Sequence, residues 1–357
     1  MYTGVVIDQF RGIPHLEISG LERVNLVVGK NNVGKTTLLE ALFLLVGGGN
    51  PQLPINTNAF RGLSVMTNDY WAAFFREMQI SRDIQVVGHR SGLEDMAAVD
   101  ELVIRPYLEK DSSIRGFSAE GYPIPITANG DSDFGASPIG LRFVYRLGHL
   151  KEEITSSIVL REGHLEAQPP RVKPENLRKG IFVNPSTRFD WKPRFDTVQR
   201  RKRHGKLVEF LRGIDSGIRD LRLNAVGLLE ADIGFENALI PVNLLGGGIA
   251  SALSVALAML DADDGVVLID EFETGLHHSI QQLLWKIVFE WAEDFRVQVF
   301  ATTHSRETLQ AFSQVGAGFL EGRGKVFRLE RRDEGTTGVS IDREQLEVAM
   351  ENQWEVR

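Results

Sequence analysis

The sequence predicts an α/β fold: a core with a mixed sheet that includes parallel strands, interrupted by an inserted β-rich and helical lobe. Three observations predict it. A β-prone run, Val24 to Val28, meets a glycine-containing loop and then a helical segment from about Lys35 to Val46. Near the other end, Val266 to Ile269, a helical pattern and Val297 to Ala301 follow in β-α-β order, which requires parallel strands joined by a right-handed crossover. Between them, residues 83–166 carry short β-like runs broken by Gly, Asp, Ser and Pro.

Taken in order, Val5 to Phe10, His15 to Ile18 and Val24 to Val28 read as strands separated by Gly/Pro turns. The Lys35 to Val46 segment is apolar on nearly every face, the pattern of a buried helix. Gly47, Gly48 and Gly49 stop it. Ile84 to Val87, Leu102 to Pro106, Leu141 to Arg146 and Ile158 to Leu160 predict an antiparallel lobe. Residues 167–180 and 184–196, rich in Pro, Lys and Arg, read as connections, and Val198 to Gly213 as one helix. Gly246, Gly247 and Gly248 precede a small-residue helix, Ile249 to Leu260. Ile280, Leu283, Leu284, Ile287, Val288 and Trp291 recur at helical spacing. The chain closes with a hairpin, Lys325 to Leu329 and Gly338 to Ile341, and a short helix. The expected division is residues 1–82 and 236–357 as the two parts of the core, with 83–235 inserted.

Composition narrows the function. The 357 residues are 43% hydrophobic and 25% charged, ordinary for a globular protein. A net charge of −8 argues against a whole-molecule polyanion binder, so any nucleic acid must meet a local basic patch. Without cysteine there is no disulfide, thiolate metal site or thiol nucleophile. No stretch reads as a signal peptide or a membrane span, so no membrane partner and a cytoplasmic location are expected.

The chemistry concentrates in four places. Gly29-Lys30-Asn31-Asn32-Val33-Gly34-Lys35-Thr36 fits G-x-x-x-x-G-K-[ST], with a strand before it and a helix after it. Backbone N–H groups of such a loop cradle phosphates, Lys35 reaches the β- and γ-phosphates, and Thr36 offers its hydroxyl to Mg²⁺. ATP and Mg²⁺ are therefore the expected ligands. Asp270 and Glu271 end an apolar strand, where α/β sheets place ligands. Asp270 is the candidate metal ligand and Glu271 the candidate general base. His304 ends the following strand, where a neutral imidazole can donate to a γ-phosphate. Gly246, Gly247 and Gly248 can be a plain turn, or can present N–H groups and a helix dipole to a phosphate. The densest basic run, Arg200 to His204, can be a solvated face or a DNA contact.

Phe10-Arg11-Gly12, residues 29–37 including Thr37, Leu245 to Gly248, Ile269 to His277 and Ala301 to Ser305 together resemble the SMC/RecF-like branch of ATP-binding-cassette ATPases. The resemblance is closest to the ATPase module of the OLD (overcoming lysogenization defect) family. It implies an ABC-type P-loop core and a head-to-head homodimer that forms with ATP. Gly246 to Gly248 of one subunit would face the γ-phosphate held by the other. Arg11 would lie near the nucleotide, and Glu273 to His277 would cross the dimer seam. Gln79 is the candidate Q-loop residue on spacing. Two departures carry information. Leu244-Leu245-Gly246-Gly247-Gly248 replaces the Leu-Ser-Gly-Gly-Gln of transporters, which argues against transport. Only about fifty residues follow His304, with no TOPRIM core, so a nuclease would be a separately encoded partner. The expected role is DNA repair or defence against foreign DNA; the alternative is a regulatory ATPase acting on a protein effector.

Overall fold

The computed structural model describes residues 1–63, 69–91, 98–108, 115–117, 123–125, 138–148, 153–161, 164–171, 177–187, 191–316, 323–332, 335–342, 344–346 and 348. The chain opens with an antiparallel pair, β1 (Tyr2–Phe10) and β2 (Ile13–Ser19), then β3 (Val24–Gly29) and helix α1 (Lys35–Val46). Helix α2 (Leu53–Phe60) follows, then β4 (Ile84–Arg90), β5 (Ala98–Tyr107), the short pair β6 (Arg115–Phe117) and β7 (Pro123–Pro125), β8 (Gly140–Arg146), β9 (Ile154–Arg161) and β10 (His164–Gln168). Next come β11 (Gly180–Val183), α3 (Lys192–Arg200) and α4 (His204–Ile214), and a small sheet of β12 (Asp220–Leu223), β13 (Leu229–Asp232) and β14 (Ile240–Pro241). The last part is α5 (Gly247–Ala262), β15 (Val266–Ile269), α6 (His278–Asp294), β16 (Gln298–Thr302), α7 (Arg306–Gly316), β17 (Gly324–Arg332) and β18 (Gly335–Ile341).

Two sheets dominate the described residues. One is antiparallel, in the order β10-β9-β8-β5-β4-β1-β2. The other runs β11-β15-β16-β3-β17-β18 and is parallel except for the β17–β18 hairpin. Helix α1 touches β1, β4 and β5 of the first and β3, β11, β15 and β16 of the second. That position explains its composition: every residue of α1 but Thr36 is buried. Each fully buried Leu there contributes about 1.5–3 kcal/mol of apolar transfer. The other side of the parallel sheet is covered by helices around a core that includes Phe195, Leu253, Leu257, Trp285 and Phe312.

Several expectations change. The β-like runs of 83–166 do pair antiparallel, but β4 pairs with β1, so they extend the N-terminal sheet and are not a separate lobe. Residue 83 is therefore no sheet boundary. Strand β11 lies between the two expected connections and forms an edge of the parallel sheet. The helix expected over 198–213 is two helices, broken at residues 201–203, where Lys202 takes φ 57. The break is held from below. Arg201 Nη1 donates to Asp261 O (3.0 Å) and Arg203 Nη1 to Leu260 O (2.8 Å), satisfying last-turn carbonyls of α5. Arg203 also pairs with Asp263 (3.0 Å) and lies 4.0 Å from the Phe295 ring centroid. His204 Nε2 lies 3.1 Å from Leu221 O. Arg203 and His204 are thus half-buried and engaged within the molecule, while Arg200, Arg201 and Lys202 are exposed, Arg201 with one guanidinium nitrogen on Asp261 O. The short closing helix falls largely outside the described residues. Among the described residues no helix is long and apolar enough to cross a membrane.

Candidate functional site

Sheet register assembles the site. Val183 pairs with Ile269, Ile269 with Ala301, and Thr302 with Val27. The carboxyl ends of β11, β15, β16 and β3 are therefore level, and Asp270, His304 and the loop after Gly29 emerge at one edge. Gly29 is needed there: its φ is +145, and a Cβ would stand 2.7 Å from Leu329 O of the neighbouring strand.

Lys35 begins α1 with its side chain folded into the loop. Its Nζ donates to Gly29 O (2.7 Å) and Lys30 O (3.0 Å) and lies 3.3 Å from His304 Nδ1. Burial lowers its pKa to about 8, opposed by the carboxylates of Asp270, Glu273 and Glu271. His304 is held below its ordinary pKa by burial and then by Lys35, which keeps the imidazole neutral at pH 7. A charged Lys35 donating into Nδ1 leaves the ring proton on Nε2.

Thr36 Oγ1 lies 2.9 Å from Asp270 Oδ2 and 3.1 Å from Oδ1. Thr302 Oγ1 donates to Asp270 Oδ1 (2.7 Å) and accepts the N–H of Glu271 (2.9 Å). Burial raises the pKa of Asp270, and the Thr302 and Thr36 hydroxyls pull it back. Hydroxyl and carboxylate oxygens converging next to a phosphate loop are a hard donor set that suits Mg²⁺. Glu271, at φ 52, is exposed beyond them, with Thr274 Oγ1 donating to its Oε2 (3.1 Å). Asn31 and Asn32 are exposed at the loop tip, while Val33 is buried and Gly34 partly so.

The other candidates are placed differently. Arg11 is almost enclosed, 8% exposed, with Nε 3.0 Å from Glu40 Oε2 and Nη2 donating to Asn58 Oδ1 (3.0 Å). Its partners are thus protein groups, one helical turn below Thr36. Burial lowers its pKa to about 10, so it stays charged at pH 7. Thr37 accepts from Arg61 Nη2 (3.1 Å), and Arg61 also grips Glu40 (2.7 and 2.9 Å). Gln79 is exposed in a turn after a short 3-10 segment, and among the described residues no hydrogen bond ties its side chain to the site. Gly246, at φ +108, starts α5 with Gly247. Both are exposed, and among the described residues no hydrogen bond joins Gly246 to Gly248 to loop 29–36. Gly248 instead backs onto the 273–280 segment, its Cβ direction 3.4 Å from Gly275 O and 3.1 Å from Ile280 Cδ1. Arg61 was not among the sequence candidates, and only tertiary contact marks it. Glu273 and Thr302 lie within the resembling segments Ile269 to His277 and Ala301 to Ser305, but no role within the chain's own site was assigned to either.

With this geometry in view, residues 24–309 match the family AAA_21, described as "AAA domain, putative AbiEii toxin, Type IV TA system". The chain belongs to this family. It is an ATPase with an SMC-like, cassette-type P-loop fold. A similar full-length relative is the "ATP/GTP phosphatase" of Helicobacter pylori, 24% identical over 388 residues and 99% of both chains. Among solved structures, the AAA_21 chain resembles an Smc head bound to the C-terminal winged-helix domain of ScpA, at TM-score 0.56 and 12% identity, over 98% of this chain and 99% of that one. It also resembles the Smc head domain with an extended coiled coil bound to the C-terminal domain of ScpA from Pyrococcus furiosus, at TM-score 0.55 and 11% identity, over 99% of each chain. At such identities these two likenesses speak for the fold alone.

Proposed function

We propose that this ATPase is an ATP-switched homodimer whose two sites are each completed by the glycine loop of the other subunit. Lys35 and the loop N–H groups from Gly29 to Thr37 bind the phosphates. Thr36 and Asp270 would hold Mg²⁺, which would supply positive charge to neutralise the phosphates. Glu271, outermost of the site's acids, polarises the attacking water. His304 donates from Nε2 to the γ-phosphate. The observation that carries the shared site is the position of Gly246 and Gly247. They form an exposed helix N-terminus that makes no bond to the chain's own phosphate loop. Such an end is suited to an anion brought by another molecule.

The test uses Glu271→Gln, which leaves Lys35, Thr36 and Asp270 in place. With ATP and Mg²⁺ this variant is expected as a stable dimer by light scattering, and as a monomer without nucleotide. A monomer in both conditions contradicts the proposal.

For the biological role, we place the chain nearest the OLD ATPase module, acting in DNA repair or in defence against phage and mobile elements. The "Type IV TA system" in the family description supports a defence role. Its proposed partner is a separately encoded TOPRIM-type nuclease. A second reading, regulation of a protein effector without DNA, is favoured by the internal use of Arg201 and Arg203. ATP-dependent, salt-sensitive DNA binding selects the first reading. Its absence, with a stable protein complex recovered from cells, selects the second.

A further inference from the structure

Glu273 opens the segment that the resemblance assigns to the dimer seam, and within its own chain it joins three parts of the site. Its Oε1 accepts the backbone N–H of His304 at 2.7 Å. Its own carbonyl accepts the N–H of Leu276 at 2.9 Å, folding the turn that presents Gly275 to Gly248. Its charge opposes the loss of the Lys35 proton. The second carboxylate oxygen, Oε2, is sealed from solvent and accepts no hydrogen bond among the described residues. Leaving a buried carboxylate oxygen without a donor is costly.

A second tie runs alongside. Gln281 is buried, its Nε2 donating to Leu276 O (3.4 Å) and its Oε1 accepting from Thr308 Oγ1 (2.9 Å). Beyond the Thr302 contacts of Glu271 and Phe272, the segment 271–281 is thus also bound through Glu273 and Gln281 to the chain that carries His304 into α7. Motion of His304 cannot leave the 273–277 turn behind, and that turn supports Gly248.

We propose that Glu273 is a positioning residue. It fixes the backbone of His304 at the γ-phosphate position and ties that position to the turn supporting this chain's glycine loop. The inference rests on the His304 role proposed above. Lengthening the tie moves the imidazole relative to the phosphate without removing any group that binds ATP.

Steady-state ATPase and equilibrium ATP binding of Glu273→Ala, Glu273→Gln, His304→Ala and the Glu273→Ala/His304→Ala double variant test this. The amide of Glu273→Gln keeps a carbonyl acceptor for the His304 N–H, so it should hold kcat near wild type. Glu273→Ala should lower kcat by about 10- to 100-fold, the scale of a misplaced reacting group, with ATP affinity at pH 7 retained. In the His304→Ala background, Glu273→Ala should cost no further activity. Equal loss of kcat in Gln and Ala variants, additive losses in the double variant, or an unchanged kcat in Glu273→Ala would each overturn the proposal. Should Glu273→Ala fail to fold, a kcat of Glu273→Gln as low as that of His304→Ala is sufficient to overturn it. If His304→Ala itself hydrolyses ATP at the wild-type rate, the failure lies with the His304 role; if only the Glu273 variants are silent, it lies with the positioning.

Discussion

Lys35 shows how much chemistry rests on single side chains here. Its ammonium is packed against two loop carbonyls and an imidazole nitrogen, and burial, partly offset by the Asp270, Glu273 and Glu271 carboxylates, brings its pKa to about 8. The protonated form binds phosphate, so the sign is fixed: ATP affinity should be flat below about pH 8. Above it, affinity should fall by up to about tenfold per pH unit until bound phosphate restores the proton. Fluorescent-nucleotide titrations between pH 6.5 and 9.5 check this, and Lys35→Ala should abolish tight binding at every pH. An affinity unchanged by either perturbation removes Lys35 from the phosphate site. Glu271 makes the complementary case. Its exposed carboxylate touches Thr274 and not the Thr36–Asp270 pair, so Glu271→Gln should bind ATP normally. Hydrolysis should slow by about 10²- to 10⁴-fold, the contribution of a general base, read as phosphate release at saturating ATP. At this scale the sequence was informative, because Lys35, Thr36, Asp270, Glu271 and His304 lie in short local patterns at strand ends. The contacts of Thr302 and Glu273 were not legible, although both residues lie within those patterns. Their partners are 31 or 32 residues away in sequence and meet them only through the register of β15 and β16.

Among the elements, α1 couples the site to the fold. It lies between both sheets, and the fully buried Glu40, one turn after Thr36, bridges Arg11 and Arg61. Removing one side of a buried ion network leaves uncompensated charge. Glu40→Ala should therefore destabilise the protein by about 3–5 kcal/mol. It should also weaken ATP binding, because Arg61 loses its anchor beside Thr37. Thermal unfolding checks the first expectation and nucleotide titration the second; a melting temperature within a degree of wild type would contradict it. The all-round apolar pattern of α1 announced a buried helix, but not the two sheets that bury it. The first sheet depends on β1 pairing with β4 across a long sequence separation, which no local pattern encodes. β11 went unassigned for a related reason. Its four residues sit among Pro, Lys and Arg, and it is a strand only because β15 offers a parallel edge.

For the whole molecule, the claim is that one chain holds the parts of two half-sites. The phosphate loop, acids and His304 converge at one sheet edge, while Gly246 and Gly247 present an open helix end backed by the Gly275 turn. The proposed completion by a second subunit can be measured directly. Lys35→Ala and Gly247→Asp should each be inactive alone, the first for want of the phosphate cation, the second because a carboxylate repels the γ-phosphate at a helix N-terminus. In their heterodimer one site carries both lesions and the other carries neither. ATPase activity should therefore return when the two inactive variants are mixed, and reach its maximum near equal proportions. A mixture that stays as inactive as its components, or a wild-type chain that hydrolyses ATP at full rate as a dilute monomer, would contradict the shared site.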